Sequence, residues 1–173
     1  MGDSNFNEEM SPHGPFFGLG VYDAGCILCD DELIGSTANL ANPLLGRCLS
    51  LFPNASLIVL ELAGVVNYFA YALYQGRTLR RAHVGDAEHG VTTDVGELLS
   101  EEVPYFHDSF VRDGRRILHV QGDEFDIAPA GETLAFDVAG RFLGAPLNEA
   151  PTDEMKMERF RRKWSLSNWW KRA

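Results

Sequence analysis

Apolar residues between positions 57 and 102 come in short runs separated by polar turns, which is the pattern of β-strands. The run at 65–74 is rich in β-branched and aromatic residues, and Gly76 then supplies the positive φ that a tight turn needs. The predicted strands are 57–62, 65–74, 77–84 and 91–95. Together they predict an antiparallel meander around residues 57–95, with its second strand buried on both faces.

The length of the central turn sets which residues of the hairpin face each other. If the loop has only two residues, Tyr68 lies opposite His83, and Arg81 falls on the same face. Asp86 follows in the next turn. Aromatic, guanidinium and imidazole groups on one face would suit a ligand cleft, so the candidate ligand-binding residues are Tyr68, Arg81, His83 and Asp86.

Other interpretations of these polar residues stay open. The spacing His83-x-x-Asp86-x-x-His89 is compatible with a divalent metal ion, but a polar turn beside a sheet histidine explains it more simply. The arginines of the strand 77–84 face several acidic residues, so cross-strand ion pairing at a sheet edge competes with an anion pocket. We therefore expect neither a metal site nor a cofactor.

Together with the meander, the other patterns in residues 15–144 predict one α+β domain. Strands are predicted at 16–22 and 25–29, followed by a helical stretch in which Asn42-Pro43 begins a fresh helix. A second helix is predicted at 130–143, because its apolar residues repeat at three and four positions. The fold class expected is α+β, with helices packed on a mainly antiparallel sheet.

Both ends of the chain are expected to lie outside this domain. Residues 1–14 are polar and predict a loose arm, and residues 145–173 predict a linker followed by a basic, Trp-rich helical appendage. Residues 153–173 hold seven basic and three acidic residues, a net charge of +4 on a chain whose formal charge is −10. A helix beginning after Thr152 would present aromatic side chains to a partner. These candidate partner-binding residues are Phe160, Trp164, Trp169 and Trp170.

The exposed aromatics of that appendage require a cover. Docking onto protein, either the acidic body of the same chain or a neighbouring subunit in a homo-oligomer, is favoured by opposite charge. An anionic membrane surface is the weaker alternative. The acidic composition, with a pI near 4.9, argues against non-specific nucleic-acid binding.

Composition and cysteine usage indicate a cytoplasmic protein. The N-terminus is acidic and does not resemble a secretory signal, and no run reaches the ~18 apolar residues of a membrane-spanning helix. The three cysteines have no disulfide-framework spacing. Cys26 and Cys29 form a C-x-x-C, but on a strand they point to opposite faces, so we expect them to be reduced and unbonded rather than redox-active or metal-binding.

Several local patterns resemble a known family. They are Leu28-Cys29-Asp30, the run 65–72, and the returning pattern of Gly90, Asp94, Gly96 and Glu97. In these the chain is similar to a bacterial family known only as a domain of unknown function. The resemblance implies an α+β domain and implies no activity.

The chain contains no G-x-S-x-G, P-loop or strand-to-helix G-x-G-x-x-G pattern. We therefore expect a non-enzymatic binding or interaction protein. The alternative is a small enzyme or ligand-binding domain that uses a cleft near Tyr68, Arg81 and His83.

Overall fold

Strands dominate the chain, and helices pack on them, which confirms the predicted α+β class with antiparallel sheets. The computed structural model describes residues 2–11, 14–23, 25–113, 115–120 and 122–162. The chain divides into two units, Met1–Glu32 with Pro151–Ala173, and Leu33–Ala150. These cuts fall at 32 and 150, whereas the sequence predicted boundaries at 14 and 144.

Within the described residues, eleven strands form three antiparallel sheets. The strands are β1 (Gly2–Asn5), β2 (Phe16–Tyr22), β3 (Gly25–Cys29), β4 (Ser56–Ala63), β5 (Tyr68–Gln75), β6 (Thr78–Asp86), β7 (Gly90–Gly96), β8 (Phe110–Arg112), β9 (Arg115–Val120), β10 (Asp123–Asp126) and β11 (Lys156–Arg161). The helices are α1 (Phe6–Glu9), α2 (Pro43–Leu51), α3 (Val103–Phe106) and α4 (Ile127–Leu143).

The first unit is built on a four-stranded sheet in the order β1-β11-β2-β3. The prediction of a helix after Thr152 is wrong for β11, because β1 and β2 pair with it on both sides and satisfy its backbone. Met157 is buried beside Tyr22, and Phe160 stacks on Phe17 at 5.3 Å between ring centroids. Phe160 is therefore held within the unit instead of lining a helix face. Trp164, Trp169 and Trp170 lie outside the described residues.

Residues 2–9 form a strand and a helix where the sequence predicted a loose arm. Gly2–Asn5 form β1, and Asn5 then caps α1 through a capping box with Glu8. Glu9 is buried, and its Oε1 accepts a hydrogen bond from Arg159 Nε at 2.7 Å. The pairing of β1 with β11 and this ion pair explain the observed elements, since both join the two ends of the chain.

The second unit contains the predicted meander, confirmed as a sheet in the order β4-β5-β6-β7. Its predicted register is wrong. Gln75 pairs with Thr78 around a loop of Gly76 and Arg77, and a β-bulge between Leu73 and Tyr74 shifts the pairing once more. A slip of this kind changes which side chains share a face.

Two apolar clusters cover the two faces of β5. On one face Phe69, Tyr71 and Leu73 pack under α4 with residues of β9 and the segment before α3. On the other face Ala72 and Tyr74 pack against α2. The central strand is thus buried on both sides, as its sequence predicted.

Both predicted helix positions in this unit are confirmed. Asn42 caps α2 by accepting from the backbone N–H groups of Leu44 and Leu45, and Pro43 occupies the first turn. The helix predicted at 130–143 is α4, which begins three residues earlier. Gly131 lets α4 approach the sheet, because a Cβ there would lie 2.0 Å from the Phe69 ring.

Candidate functional site

The structure does not bring the four sequence-predicted ligand-binding residues into one cleft, although Arg81 and His83 stay together. Because Tyr71 pairs with His83 and Leu73 pairs with Arg81, both polar side chains lie on the α4 face of the sheet. Tyr68, one residue from Phe69, lies on the opposite face. The predicted grouping of Tyr68 with Arg81 and His83 in one cleft is therefore wrong, and the cause is the shifted register.

The guanidinium of Arg81 is the centre of a buried ion-pair network. Its Nε donates to both oxygens of Glu102 at 2.9 Å, its Nη2 donates to Glu102 Oε1 at 2.6 Å, and its Nη1 donates to Asp94 Oδ1. The Glu102 carboxylate also accepts from the Tyr71 hydroxyl and from the Leu99 backbone N–H, each at 2.6 Å. Arg81 and Glu102 are 1% and 0% exposed. Every acceptor oxygen of this buried pair is thus matched by donors.

These contacts move the pKa values of the network in defined directions. Burial alone would lower the pKa of Arg81, but the hydrogen bonds to Glu102 and Asp94 raise it. Burial also works against ionisation of Asp94, yet the hydrogen bond and charge of Arg81 hold its pKa below the ordinary value. Burial and the Glu102 charge raise the pKa of the Tyr71 hydroxyl. The network therefore keeps Arg81 charged and Tyr71 neutral.

His83 lies at the apolar end of this network. Its Nδ1 is 3.5 Å from Arg81 Nη2 and 3.5 Å from Asp94 Oδ1, while its buried Nε2 has no hydrogen-bond partner among the described residues. Rings within 5.3 to 5.7 Å of its own are Phe69, Tyr71 and Phe106. Burial, followed by the Arg81 charge, lowers the pKa of His83 to about 4. This histidine is neutral at physiological pH.

The spacing of His83, Asp86 and His89 does not produce a convergent site. Asp86 accepts from the backbone N–H groups of Glu88 and His89 and lies 3.1 Å from the His89 ring, so it shapes the turn into β7. His83 instead faces the buried network. Within the residues that the structure describes, no group of three or more His, Cys, Asp or Glu side chains is arranged to hold a metal ion.

The buried network fixes the chain segment that carries the nearest exposed polar residues. Glu102 binds Leu99 through its own side chain, and its backbone N–H donates to the Leu99 carbonyl at 3.0 Å. This closes the turn that leads into α3. Glu101 and Tyr105 belong to the same turn and helix but point toward α4. Arg81 therefore positions, from the core, one wall of a surface cleft.

We call this concavity the α3–α4 cleft, and its volume is about 690 Å³. Its polar lining residues are Glu101, Tyr105, His119, Asp137 and Arg141. Glycines and prolines at its rim come from α3, from the end of α4 and from the residues that follow. The volume falls in the range of small-molecule sites, roughly 300–1,000 Å³.

Two side-chain pairs join the walls of the α3–α4 cleft. Arg141 donates to both oxygens of Glu101, from Nε at 3.0 Å and from Nη2 at 2.6 Å. The Tyr105 hydroxyl donates to Asp137 Oδ2. Partial burial opposes ionisation of Glu101, but the Arg141 hydrogen bonds hold its pKa below the usual range, and burial together with Asp137 raises the pKa of Tyr105. The pairs place fixed charges and a neutral phenol at the cleft.

Sequence reasoning missed this cleft. Asp137 and Arg141 are four residues apart on α4, which puts them on one helix face, and that spacing was the available signal. Their partners come from α3 and its preceding turn, and His119 comes from β9. Nothing local in the sequence joins these three segments.

The cysteines behave as their strand positions predicted. Cys26 is exposed and Cys29 is buried, and neither forms a disulfide. Burial, with the nearby Glu9 and Asp30 carboxylates, raises the pKa of Cys29 to about 12. Its thiol therefore stays protonated, which does not suit a redox nucleophile.

The class of protein that these features define is a small α+β protein with an antiparallel meander and a polar surface cleft. The chain belongs to the family of unknown function DUF6928, whose model matches residues 1–139. No curated protein and no solved structure matches the chain. No helix in the part of the chain described here is long and apolar enough to cross a membrane.

Proposed function

We propose that this chain is a non-enzymatic protein that binds a small polar ligand in the α3–α4 cleft. The observation that supports the proposal is the convergence of two cross-wall pairs, Arg141 with Glu101 and Tyr105 with Asp137, on a concavity of about 690 Å³. Ligand sites combine such a concavity with a few placed polar groups. A wall held from the core by the Arg81–Glu102 pair is also pre-organised, which lowers the entropic cost of binding.

The charge of the cleft favours a ligand that donates hydrogen bonds or carries a positive charge. Glu101 and Asp137 are two acidic groups against one guanidinium, and the Tyr105 hydroxyl donates a hydrogen bond to Asp137. A protonated amine or a hydroxyl group of the ligand would donate a second hydrogen bond to the Asp137 carboxylate. His119 adds an imidazole at the same opening.

The cytoplasm is the compartment that fits this proposal. Cys26, Cys29 and Cys48 form no disulfide, as expected of a protein kept in a reducing environment. Docking of the basic C-terminal segment onto protein remains a second proposal, since Trp164, Trp169 and Trp170 lie outside the described residues.

A thermal-shift screen of small amines, polyols and amino acids, followed by titration calorimetry of each hit, tests the function. We expect hits to raise the melting temperature and to bind with one-to-one stoichiometry. Asp137→Asn removes the charge of the cleft wall while keeping its shape, and it should weaken binding at least tenfold. Asp108→Asn removes an exposed carboxylate that does not line the cleft, and it should leave binding unchanged.

Two outcomes would contradict the proposal. One is a hit whose affinity is the same for the wild type and for Asp137→Asn. The other is chemical turnover of a hit by the purified protein, which would make the cleft an active site.

A further inference from the structure

A second concavity lies between α2 and the β5–β6 turn, and its volume is about 630 Å³. This volume is also within the range of small-molecule sites, roughly 300–1,000 Å³. We call it the α2–turn concavity, and its lining residues are Pro43, Gly46, Arg47, Ser50, Leu51 and Arg77. None of these residues lines the α3–α4 cleft, so the two concavities are separate sites.

The end of α2 and the residues after it hold the β5–β6 turn in place. The backbone N–H of Gly76 donates to the Ala55 carbonyl at 3.0 Å. Arg77 Nη1 donates to Ser50 Oγ at 2.9 Å, and that hydroxyl donates in turn to the Gly46 carbonyl at 2.7 Å. The Arg77 guanidinium is therefore fixed beside the concavity through one of its N–H groups.

Both arginines of the concavity keep unused hydrogen-bond donors. A guanidinium has five N–H groups, and the bond to Ser50 uses one of those of Arg77. The exposed Arg47 side chain has no hydrogen bond or ion pair with the residues that the structure describes. Neither arginine pairs with a carboxylate in this described part, which includes every aspartate and glutamate of the chain. The α2–turn concavity thus carries two positive charges that no acidic side chain neutralises.

Arginines elsewhere in the described residues are mostly neutralised. Six of them bind at least one carboxylate, and these are Arg81, Arg112, Arg115, Arg141, Arg159 and Arg162. The difference at the concavity originates in the sequence, because the single acidic residue within 33–85 is Glu61. Its carboxylate accepts from the backbone N–H groups of residues 35–37 at 2.8 to 3.0 Å. A locally positive surface therefore forms on a chain whose formal charge is −10.

We propose that the α2–turn concavity binds a small molecule that carries a phosphate monoester. Guanidinium N–H groups form forks that match phosphate oxygens. Two guanidiniums also balance the charge of about −1.5 to −2 that a phosphate monoester carries at pH 7, whereas a single carboxylate would leave one of them unpaired.

The surroundings of the two arginines support this class of ligand. The first N–H groups of α2 are already occupied, because the Asn42 side chain accepts from Leu44 and Leu45, so the guanidiniums are the donors that remain. Leu51 lines the same concavity and is 73% exposed. It offers an apolar surface to the organic part of the ligand.

Titration of the full, isotope-labelled chain with phenyl phosphate, followed by NMR, tests the proposal. We expect saturable shifts of the backbone amide signals of Gly46, Ser50 and Arg77, and unchanged signals from β8. Added salt should weaken the binding, because the contact is ionic. Benzoate has the same ring but one negative charge, and it should bind at least tenfold more weakly than phenyl phosphate.

The double variant Arg47→Gln with Arg77→Gln should raise the dissociation constant of phenyl phosphate at least tenfold. Both side chains are exposed, so circular dichroism should show an unchanged fold. Arg47→Gln alone removes no hydrogen bond within the described residues, and it should already weaken binding at least threefold. Arg112→Gln removes an exposed arginine that pairs with Glu124 and does not line the concavity, so it should leave the dissociation constant unchanged.

Four results would overturn the proposal. The first is the absence of saturable shifts at these amides with millimolar phenyl phosphate. The second is an affinity that is the same for the wild type and for the double variant. The third is benzoate binding as tightly as phenyl phosphate, since the site would then not select a phosphate. The fourth is binding to anionic phospholipid vesicles through Arg47 and Arg77 without any binding of phenyl phosphate, since the arginines would then contact a membrane.

Discussion

Replacing His83 by glutamine should remove a specific part of the pH dependence of stability. In the wild type His83 is fully buried between the Arg81 network and three aromatic rings, and its pKa falls from 6.5 to about 4. In the unfolded chain the histidine takes up a proton as the pH falls below 6.5, whereas in the folded chain it does not until about pH 4. The contribution of this histidine to stability is therefore complete above pH 6.5 and is lost progressively between pH 6.5 and 4.

The size of the effect follows from the difference between the two pKa values. From 6.5 to about 4 is a difference of about 2.5 pH units, and each unit corresponds to 1.36 kcal/mol, so the full loss is roughly 3 kcal/mol. About 2.5 kcal/mol of it should be visible by pH 4.5. Protonation of carboxylates such as Asp94 also lowers the stability of the folded protein in acid. This loss occurs in both the wild type and the variant, so it cancels when their stabilities are compared.

The measurement is urea unfolding of the wild type and of His83→Gln from pH 7.5 to pH 4.5, followed by circular dichroism. At pH 7.5 the variant should be the less stable protein, because the substituted amide disturbs a packed core. The difference in the free energy of unfolding between the wild type and the variant should then narrow by about 2.5 kcal/mol as the pH falls to 4.5. His107→Gln, which removes an exposed histidine, serves as the control. A gap that stays constant within about 1 kcal/mol would refute the reasoning.

Three further substitutions test the packing and the buried charges by denaturant unfolding. Gly131→Ala should lower the free energy of unfolding by about 1–3 kcal/mol, since the new methyl group overlaps the Phe69 ring. Gly46→Ala meets open space in α2 and should raise the free energy of unfolding by up to about 1 kcal/mol. Equal effects of the two substitutions would contradict this packing. Glu102→Gln should cost about 3–5 kcal/mol because Arg81 loses its buried counter-charge, and a loss under 1 kcal/mol would count against the network. Glu61→Gln should lower the free energy of unfolding by about 1–3 kcal/mol and speed hydrogen exchange of the backbone amides of residues 35–37, which the Glu61 carboxylate binds. Unchanged exchange in this loop would show that Glu61 does not hold it.

The amino-acid pattern by itself determined the meander and the two longer helices of the second unit. Runs of β-branched and aromatic residues gave the meander, and Asn42-Pro43 and the apolar repeat of 130–143 gave the two helices. These features depend on residues close in the chain, so propensity, capping and periodicity are enough to recognise them. The unbonded cysteines follow in the same way from alternation along one strand.

Tertiary structure decided the register, the C-terminal strand and the cleft. A bulge beside Leu73 moved Arg81 and His83 to the face opposite Tyr68, because each one-residue slip inverts the side-chain direction. Lys156–Arg161 became a strand because β1 and β2, more than 130 residues away, supply backbone partners. The α3–α4 cleft needs Glu101, His119 and Asp137 from three separate segments. Such pairings are set by packing between distant parts of the chain, which no local pattern encodes.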